Sequence, residues 1–113
     1  MEQIIRNLLV ADNDLIQQAS AELKEAFKRP ETVPQLCELT VSHSDAQVRQ
    51  YSAMLLKKQL CKLRNWQQVP PEQQALIKQG MLEAIVKEPE KSVRTAITAF
   101  VGVLVRHEAA KED

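Results

Sequence analysis

The sequence of 113 residues has few of the residues that build β-sheets and tight turns. It contains two glycines, and phenylalanine, tyrosine and tryptophan together make up 4% of the chain. A β-sandwich or β-barrel needs aromatic and β-branched residues at close spacing with turn residues between them, so this composition argues against both folds. Apolar residues nevertheless account for 44% of the chain, which is enough to form a core. The composition therefore predicts one all-α domain.

The chain also has no excess of charge and no long apolar run. Its 15 basic and 15 acidic residues balance, which removes the overall field that drives non-specific binding to nucleic acids or membrane surfaces. The longest apolar stretch, Ala96 to Val105, is too short to span a bilayer, and the N-terminus lacks the basic and apolar segments of a secretory signal. We therefore expect a nuclear or cytoplasmic protein that binds neither nucleic acid nor membranes.

The residues that usually carry catalysis or hold metals are sparse and scattered. Cys37 and Cys61 form no C-x-x-C pair, and neither His43 nor His107 has Ser, Cys or paired carboxylates at a spacing that would assemble a nucleophile or a metal site. We predict no catalytic residue, no metal and no cofactor, and hence no enzyme. Both cysteines, like Met54, are expected to be apolar packing residues.

Apolar residues at helical spacing predict six helices separated by short polar or proline-containing segments. The fourth helix opens at the capping box Ser44–Gln47 and meets no helix breaker before Val69. Six helices joined by short connections are typical of three antiparallel helix pairs. We place these pairs, as three repeats, at residues 1–29, 31–66 and 71–108.

The second helices of the three pairs, NDLIQQASAEL, DAQVRQYSAML and EKSVRTAITAF, share a pattern. An acidic or amide cap is followed by an apolar residue, by a longer polar residue, and then by small residues. In order, these positions hold Asn13, Asp45 and Glu90; Ile16, Val48 and Val93; and Gln17, Arg49 and Arg94. This pattern is that of the HEAT repeat, the helix-pair unit of an α-solenoid. The alternative is an ordinary six-helix bundle whose helix caps resemble one another.

The balanced charge conceals a basic helix. Residues 45–66 hold five basic and one acidic side chain, while the segments before and after carry net charges of −3 and −1. A helical wheel places Arg49, Lys57 and Arg64 in one sector. Because the second helices of a solenoid usually line its concave surface, this stripe is predicted to face inward, where it would suit an acidic protein surface.

Two other interpretations of these residues remain open. The basic stripe can be a solvated face that only keeps the protein soluble, and Arg49 and Arg94 can pair with acids of neighbouring repeats instead of contacting a partner.

The last helix leads to an expectation about the length of the protein. Its run AITAFVGVLV is apolar nearly all round, whereas a terminal repeat needs a polar outer face, so we expect the chain to be the N-terminal piece of a longer protein.

Several local motifs together resemble a known family. Pro34 opens a P-x-L-C-x-L motif, DAQVRQYSAMLLKKQL begins at Asp45, and Trp66 is followed by a P-E-Q-Q start at Pro71. This series resembles the N-terminal domain of the importin-β (karyopherin-β) nuclear transport receptors. The resemblance implies a HEAT-repeat import receptor that shuttles between cytoplasm and nucleus. Its first repeats would bind the GTPase Ran in the GTP state and release cargo, with cargo and nucleoporins held by downstream repeats.

The resemblance also implies contact residues on the second helices of the repeats. Carried over by position, the candidates for contact with Ran are Gln17, Arg49, Gln50, Ala53, Lys57 and Arg94. Trp66 would pack the turn into the next pair. The alternative function is a generic HEAT-repeat scaffold or adaptor that assembles protein complexes without dependence on Ran.

Overall fold

The computed structural model describes residues 1–112, which form seven helices and no strands. The helices are α1 (Glu2–Leu9), α2 (Asn13–Ala26), α3 (Thr32–Ser42), α4 (Ala46–Leu60), α5 (Leu63–Gln67), α6 (Pro71–Lys87) and α7 (Lys91–Glu112). None of these helices is both long and apolar enough to cross a membrane. The predicted all-α class is confirmed.

The helices pack as pairs that stack side by side. The pairs are α1 with α2, α3 with α4, and α6 with α7; between pairs, α4 packs extensively against α7, and α3 packs against α6. The molecule is correspondingly elongated, measuring 45 × 32 × 18 Å. This is the arrangement of an α-solenoid. The first pair departs from it, because α1 and not α2 is the helix that packs against α4.

The core lies between the two layers of helices. Its largest fully buried side chains are Phe100, Ile5, Leu36, Leu56, Leu60, Met81, Ile97 and Leu104. In α7 the buried positions Val93, Ile97, Phe100 and Leu104 follow helical spacing, so one side of the helix faces the core. Burying an apolar side chain of this size contributes roughly 1.5–3 kcal/mol, so this seam holds the third pair on the second.

The fourth helix ends earlier than the sequence predicts. It stops at Leu60, and Lys62 takes an extended conformation (φ −81°, ψ 120°) before α5 begins. The break exposes carbonyl groups that side chains then bind. Asn65 Nδ2 donates to the carbonyl of Gln59 at 2.8 Å, and His107 Nε2 donates to the carbonyl of Leu60 at 2.6 Å. Because these partners stabilise the break, no local helix breaker is needed.

The N-cap of α2, the second helix of the first pair, also differs from the prediction. Asp12, not Asn13, is the N-cap of α2, and its carboxylate accepts from the backbone N–H groups of Asp14 and Leu15 at 3.0 and 3.2 Å. Asp45 is the N-cap of α4, as expected.

Aligning the helices from the observed caps shifts the first unit by one residue. In this register Ala19, Ser52 and Ile97 occupy equivalent positions of the three units. All three are fully buried. Ile16, not Gln17, then takes the position of Arg49 and Arg94. The first unit therefore has no counterpart of the two arginines.

A stacked pair of rings closes the end of the third repeat. Trp66 is 4% exposed and stacks on His107 with ring centroids 6.4 Å apart. The structural role expected for Trp66 is confirmed. His107 is buried within α7, and it links this helix to the break after α4.

Replacing His107 with Phe should keep the ring against Trp66 but leave the Leu60 carbonyl without its donor. An unsatisfied buried carbonyl costs about 1–3 kcal/mol, and we expect that loss in the free energy of unfolding measured by urea titration. Replacing the neighbouring exposed Arg106 with Gln is the control. Equal stability of the His107→Phe variant and the wild type would show that this hydrogen bond does not stabilise the break.

Candidate protein-binding surface

Arg49 lies near the start of α4 and uses its guanidinium to join two helix pairs. Its Nε and Nη2 atoms donate to the two carboxylate oxygens of Glu88, each at 2.9 Å, and its Nη1 donates to the carbonyls of His43 and Ser44 at 2.7 and 3.1 Å. The side chains of Arg49 and Glu88 are 12% and 6% exposed. Of the two roles that the sequence leaves open for Arg49, the structure shows the internal ion pair between repeats.

Arg94 repeats half of this arrangement in the next pair. Its Nη1 donates to the carbonyls of Glu88 and Pro89 at 2.9 and 3.2 Å. Each arginine thus binds the carbonyls six and five residues before it, at the end of the first helix of its own pair. Carbonyls at a helix C-terminus lack partners within the helix and attract cations, so each guanidinium acts as a C-terminal cap.

We call the segments between the two helices of a pair, His43–Asp45 and Glu88–Glu90, the hinges. Their first residues make equivalent bonds. Asp45 N donates to His43 Nδ1 at 3.0 Å, and Glu90 N donates to Glu88 Oε1 at 3.1 Å. Because Nδ1 of His43 accepts, the ring proton is on Nε2, which donates to Glu2 at 2.7 Å. Each hinge is therefore bound by a side chain of the preceding pair.

The two carboxylates that take part in the hinge bonds, Glu88 and Glu2, are held in the charged state. Burial raises the pKa of Glu88, but the hydrogen bonds from Arg49 and from the Glu90 N–H, with the positive charges of Arg49 and Arg94, outweigh burial and leave this pKa below its ordinary value. The hydrogen bond from His43 lowers the pKa of Glu2 in the same way. At neutral pH both hinges are bridged by ionised carboxylates.

A different side of α4 forms a groove with α7. The groove has a volume of about 580 Å³. It is lined by Gln50, Tyr51, Met54, Leu55, Lys57 and Lys58 of α4, by Cys61 directly after α4, and by Ser92, Thr95, Ala96 and Ala99 of α7. Met54 is 49% exposed, contrary to its expected place in the core. Apolar groups flanked by two lysines can receive an apolar side chain of a partner while the lysines attract carboxylates beside it.

The structure brings together only two of the six predicted contact residues. Gln50 and Lys57 both line the groove. Ala53 is fully buried, so the prediction that it contacts a partner is wrong, and its small side chain instead permits close helix packing. Gln17 is exposed on α2, which packs against α1 and lies outside the groove.

The two arginines among those candidates are also outside the groove. Arg49 is engaged by Glu88 and its own hinge, and Arg94 is half-buried against its hinge. The basic stripe predicted for the fourth helix also loses Arg64, because this residue lies on α5 and not on α4. The groove retains Lys57 and gains Lys58.

The groove residues that the sequence missed carry a signal that could have been used. The missed residues Met54 and Cys61 follow the predicted Gln50 and Lys57 at helical spacing, along one side of α4 and the residue after it. Cys61 is exposed, so its assignment as a buried residue is wrong. Cys37 is half-buried, and burial raises the pKa of its thiol to about 12.

Among the side chains that the structure describes, no cluster of His, Cys, Asp or Glu could hold a metal ion.

The lowered pKa of Glu88 predicts that the fold loses stability as the pH falls. Because the folded-state pKa is below the unfolded value, ionised Glu88 stabilises the fold above the ordinary glutamate pKa, and this contribution is lost as the pH falls through the folded pKa. Glu88→Gln leaves the buried charge of Arg49 without its partner and should therefore cost about 3 kcal/mol of unfolding free energy at pH 7. The cost should shrink as the pH falls below about 4.3.

Chemical denaturation of both proteins between pH 7 and pH 3 measures this difference. Glu83→Gln, an exposed change on α6 shortly before this hinge, is the matched control and should show no such trend. A Glu88→Gln cost that stays constant across this pH range contradicts the argument.

Comparison with known proteins agrees with this architecture. The family model of the importin-β N-terminal domain matches residues 19–87. Importin-4 of Homo sapiens and importin-4 of Mus musculus are each 31% identical to the chain over 108 residues, which is 96% of this chain and 10% of each relative. No solved structure gave a significant match. The chain thus spans about a tenth of the length of these relatives, and it belongs to the importin-β family as a segment of its N-terminal domain.

Proposed function

We propose that this chain is the N-terminal, Ran-binding part of a nuclear import receptor that carries protein cargo through the nuclear pore and releases it when Ran in the GTP state binds. Membership of the importin-β family supports the transport role. The observation that carries the proposal within the chain is the groove between α4 and α7, the two adjacent second helices. The resemblance implies that Ran binds to such helices.

The groove has the chemistry of a surface for a folded protein partner. Exposed Met54 and the small residues Ala96 and Ala99 provide an apolar floor, and Lys57 and Lys58 supply positive charge beside it. A protein interface usually has an apolar core surrounded by a polar rim, and the lysines would raise the association rate with an acidic patch.

The contact set of the proposal therefore consists of Gln50, Met54, Lys57 and Lys58, with Gln17 as an outlying candidate on α2. Arg49 and Arg94 have a different role, because Arg49 joins the second pair to the third through Glu88 and Arg94 binds the carbonyls at the end of α6. The repeat limits 1–29, 31–66 and 71–108 are part of the same proposal. Cargo and nucleoporins would be bound by other parts of the receptor, which would shuttle between cytoplasm and nucleus.

A second candidate, a scaffold or adaptor without dependence on Ran, is favoured by the hinge bonds. The bonds of Arg49 and His43 hold the described pairs together without any partner, as a static scaffold requires. The two functions differ in one measurable property, since only the import receptor distinguishes the nucleotide states of Ran.

Lys57→Glu should weaken binding of GTP-loaded Ran by about tenfold, equivalent to about 1.4 kcal/mol. The change reverses a charge in the groove on an exposed side chain, so the helix content should not change. The measurement is calorimetric titration of the full-length receptor with Ran loaded with a non-hydrolysable GTP analogue or with GDP. Lys87→Glu, on α6 and outside the groove, is the matched control.

Two results would contradict the proposal in different ways. Equal affinity for both nucleotide states of Ran would favour the scaffold. Nucleotide-dependent binding that is unchanged by Lys57→Glu would keep the import function but remove the groove as the contact surface.

A further inference from the structure

The groove between α4 and α7 is bounded by two stretches of sequence that contain no acidic residue. Residues 46–71 hold five Lys and Arg residues and no Asp or Glu, and residues 91–107 hold three and none. Of these eight cations, Arg49 is paired with Glu88. Because the whole chain has no net charge, its positive potential is concentrated where these two helices meet.

The exposed lysines of the first stretch lie at one end of the groove. Lys57 and Lys58 line it from the last turn of α4, and Lys62 comes directly after Cys61, which is the last lining residue on this side. All three lysines are exposed. They therefore place three positive charges around the end of α4.

Arg106 adds a fourth cation at the same end, from α7. Ala99 lines the groove, and Arg106 lies about two turns further along the same side of the helix, where it is exposed. The next residue, His107, donates to the carbonyl of Leu60 at 2.6 Å. This bond fixes that turn of α7 beside the end of α4, so the arginine and the lysines lie at one end of the groove.

We call these four residues the basic end of the groove: Lys57, Lys58, Lys62 and Arg106. Among the described side chains, none of the four forms an ion pair. Glu108, which follows shortly after Arg106, is bound instead by Lys78 of α6. Four like charges without a counter-charge repel one another, and a ligand that brings carboxylates relieves this repulsion.

An apolar contact point lies at a defined distance from the basic end. Met54 is 49% exposed and lines the groove. It precedes Cys61 by about two helical turns, which is about 10 Å along the helix axis. An extended peptide spans this distance with about three residues. The groove therefore matches a segment in which an apolar side chain is followed or preceded, about three residues away, by carboxylates.

We propose that the groove binds a short acidic segment of a partner protein. An apolar side chain of this segment packs on Met54, and its Asp or Glu side chains bind at the basic end. Because the basic end is exposed, salt screens these contacts and weakens the complex. Lys62 and Arg106 are outside the contact set proposed for Ran, and binding of the segment does not depend on Ran.

Two observations favour an acidic peptide over a single-stranded nucleic acid. Proteins bind single strands by stacking bases on exposed aromatic rings, but Trp66 is buried and Tyr51 is half-buried. Residues 1–44 carry a net charge of −3, so a long polyanion that extends beyond the basic end toward the first pair is repelled. A peptide with a few carboxylates avoids this repulsion and uses the apolar contact at Met54.

The test is a fluorescence anisotropy titration of the 113-residue chain with a labelled peptide. The peptide has one central leucine and a run of glutamates that begins three residues away on either side, so both chain directions are sampled. Replacing the glutamates with glutamines should weaken binding about tenfold, and raising the salt concentration should weaken binding of the glutamate peptide. Replacing the leucine with serine should also weaken binding, because the contact with Met54 is lost.

The double variant Lys62→Glu, Arg106→Glu tests the basic end without changing the contact set proposed for Ran. Reversing two charges should weaken binding of the glutamate peptide about tenfold, with unchanged helix content by circular dichroism. The matched control is Lys24→Glu, Lys87→Glu, which reverses two exposed lysines outside the groove. A failure of Ran to bind would count against the proposed function and leave this result unaffected.

Three results would overturn the proposal. The first is equal affinity of the chain for the glutamate and glutamine peptides. The second is an equal loss of affinity in the control pair and in the Lys62→Glu, Arg106→Glu variant, since the effect would then come from net charge alone. The third is tighter binding of a single-stranded RNA of the same charge, because the occupant would then be a nucleic acid.

Discussion

The arrangement of the second and third helix pairs depends on the guanidinium of Arg49. Four of its hydrogen bonds fix the end of α3, the hinge before α4 and the carboxylate of the following pair. A buried ion pair is not in itself strongly stabilising, but removing one partner leaves an uncompensated buried charge, which costs about 3–5 kcal/mol. The bond therefore specifies the register of one pair on the next, while the apolar seam of α4 and α7 supplies most of the stability.

This constraint divides the residues of α4 between two roles. The side chains at helical spacing after Arg49 are buried by packing; they are Ala53, Leu56 and Leu60. The side chains at helical spacing after Gln50 line the groove; they are Met54, Lys57 and Cys61. Neighbouring residues in the sequence thus serve the fold and the proposed interface. The rigid, bidentate arginine suits the first role, and the flexible lysine with its solvated charge suits the second.

Much of this architecture follows from local sequence signals. The helix pairs, the cap at Asp45 and the equivalence of Arg49 and Arg94 come from periodicity and capping chemistry, which depend on a few neighbouring residues. The break after Leu60 does not, because His107 is 47 residues away and forms the bond that satisfies the carbonyl. The placement of Met54 and Ala53 also depends on packing, since both are suitable for a core and only the position of α7 decides which one is covered.

The most direct test of the account is a double-mutant cycle between Arg49 and Glu88, with urea unfolding of the wild type, Arg49→Gln, Glu88→Gln and the double variant at pH 7. The account predicts a coupling free energy of about 2 kcal/mol, because each single change leaves the other charge buried without its partner. Two effects that add to within about 0.5 kcal/mol would contradict the claim that this ion pair joins the second and third helix pairs.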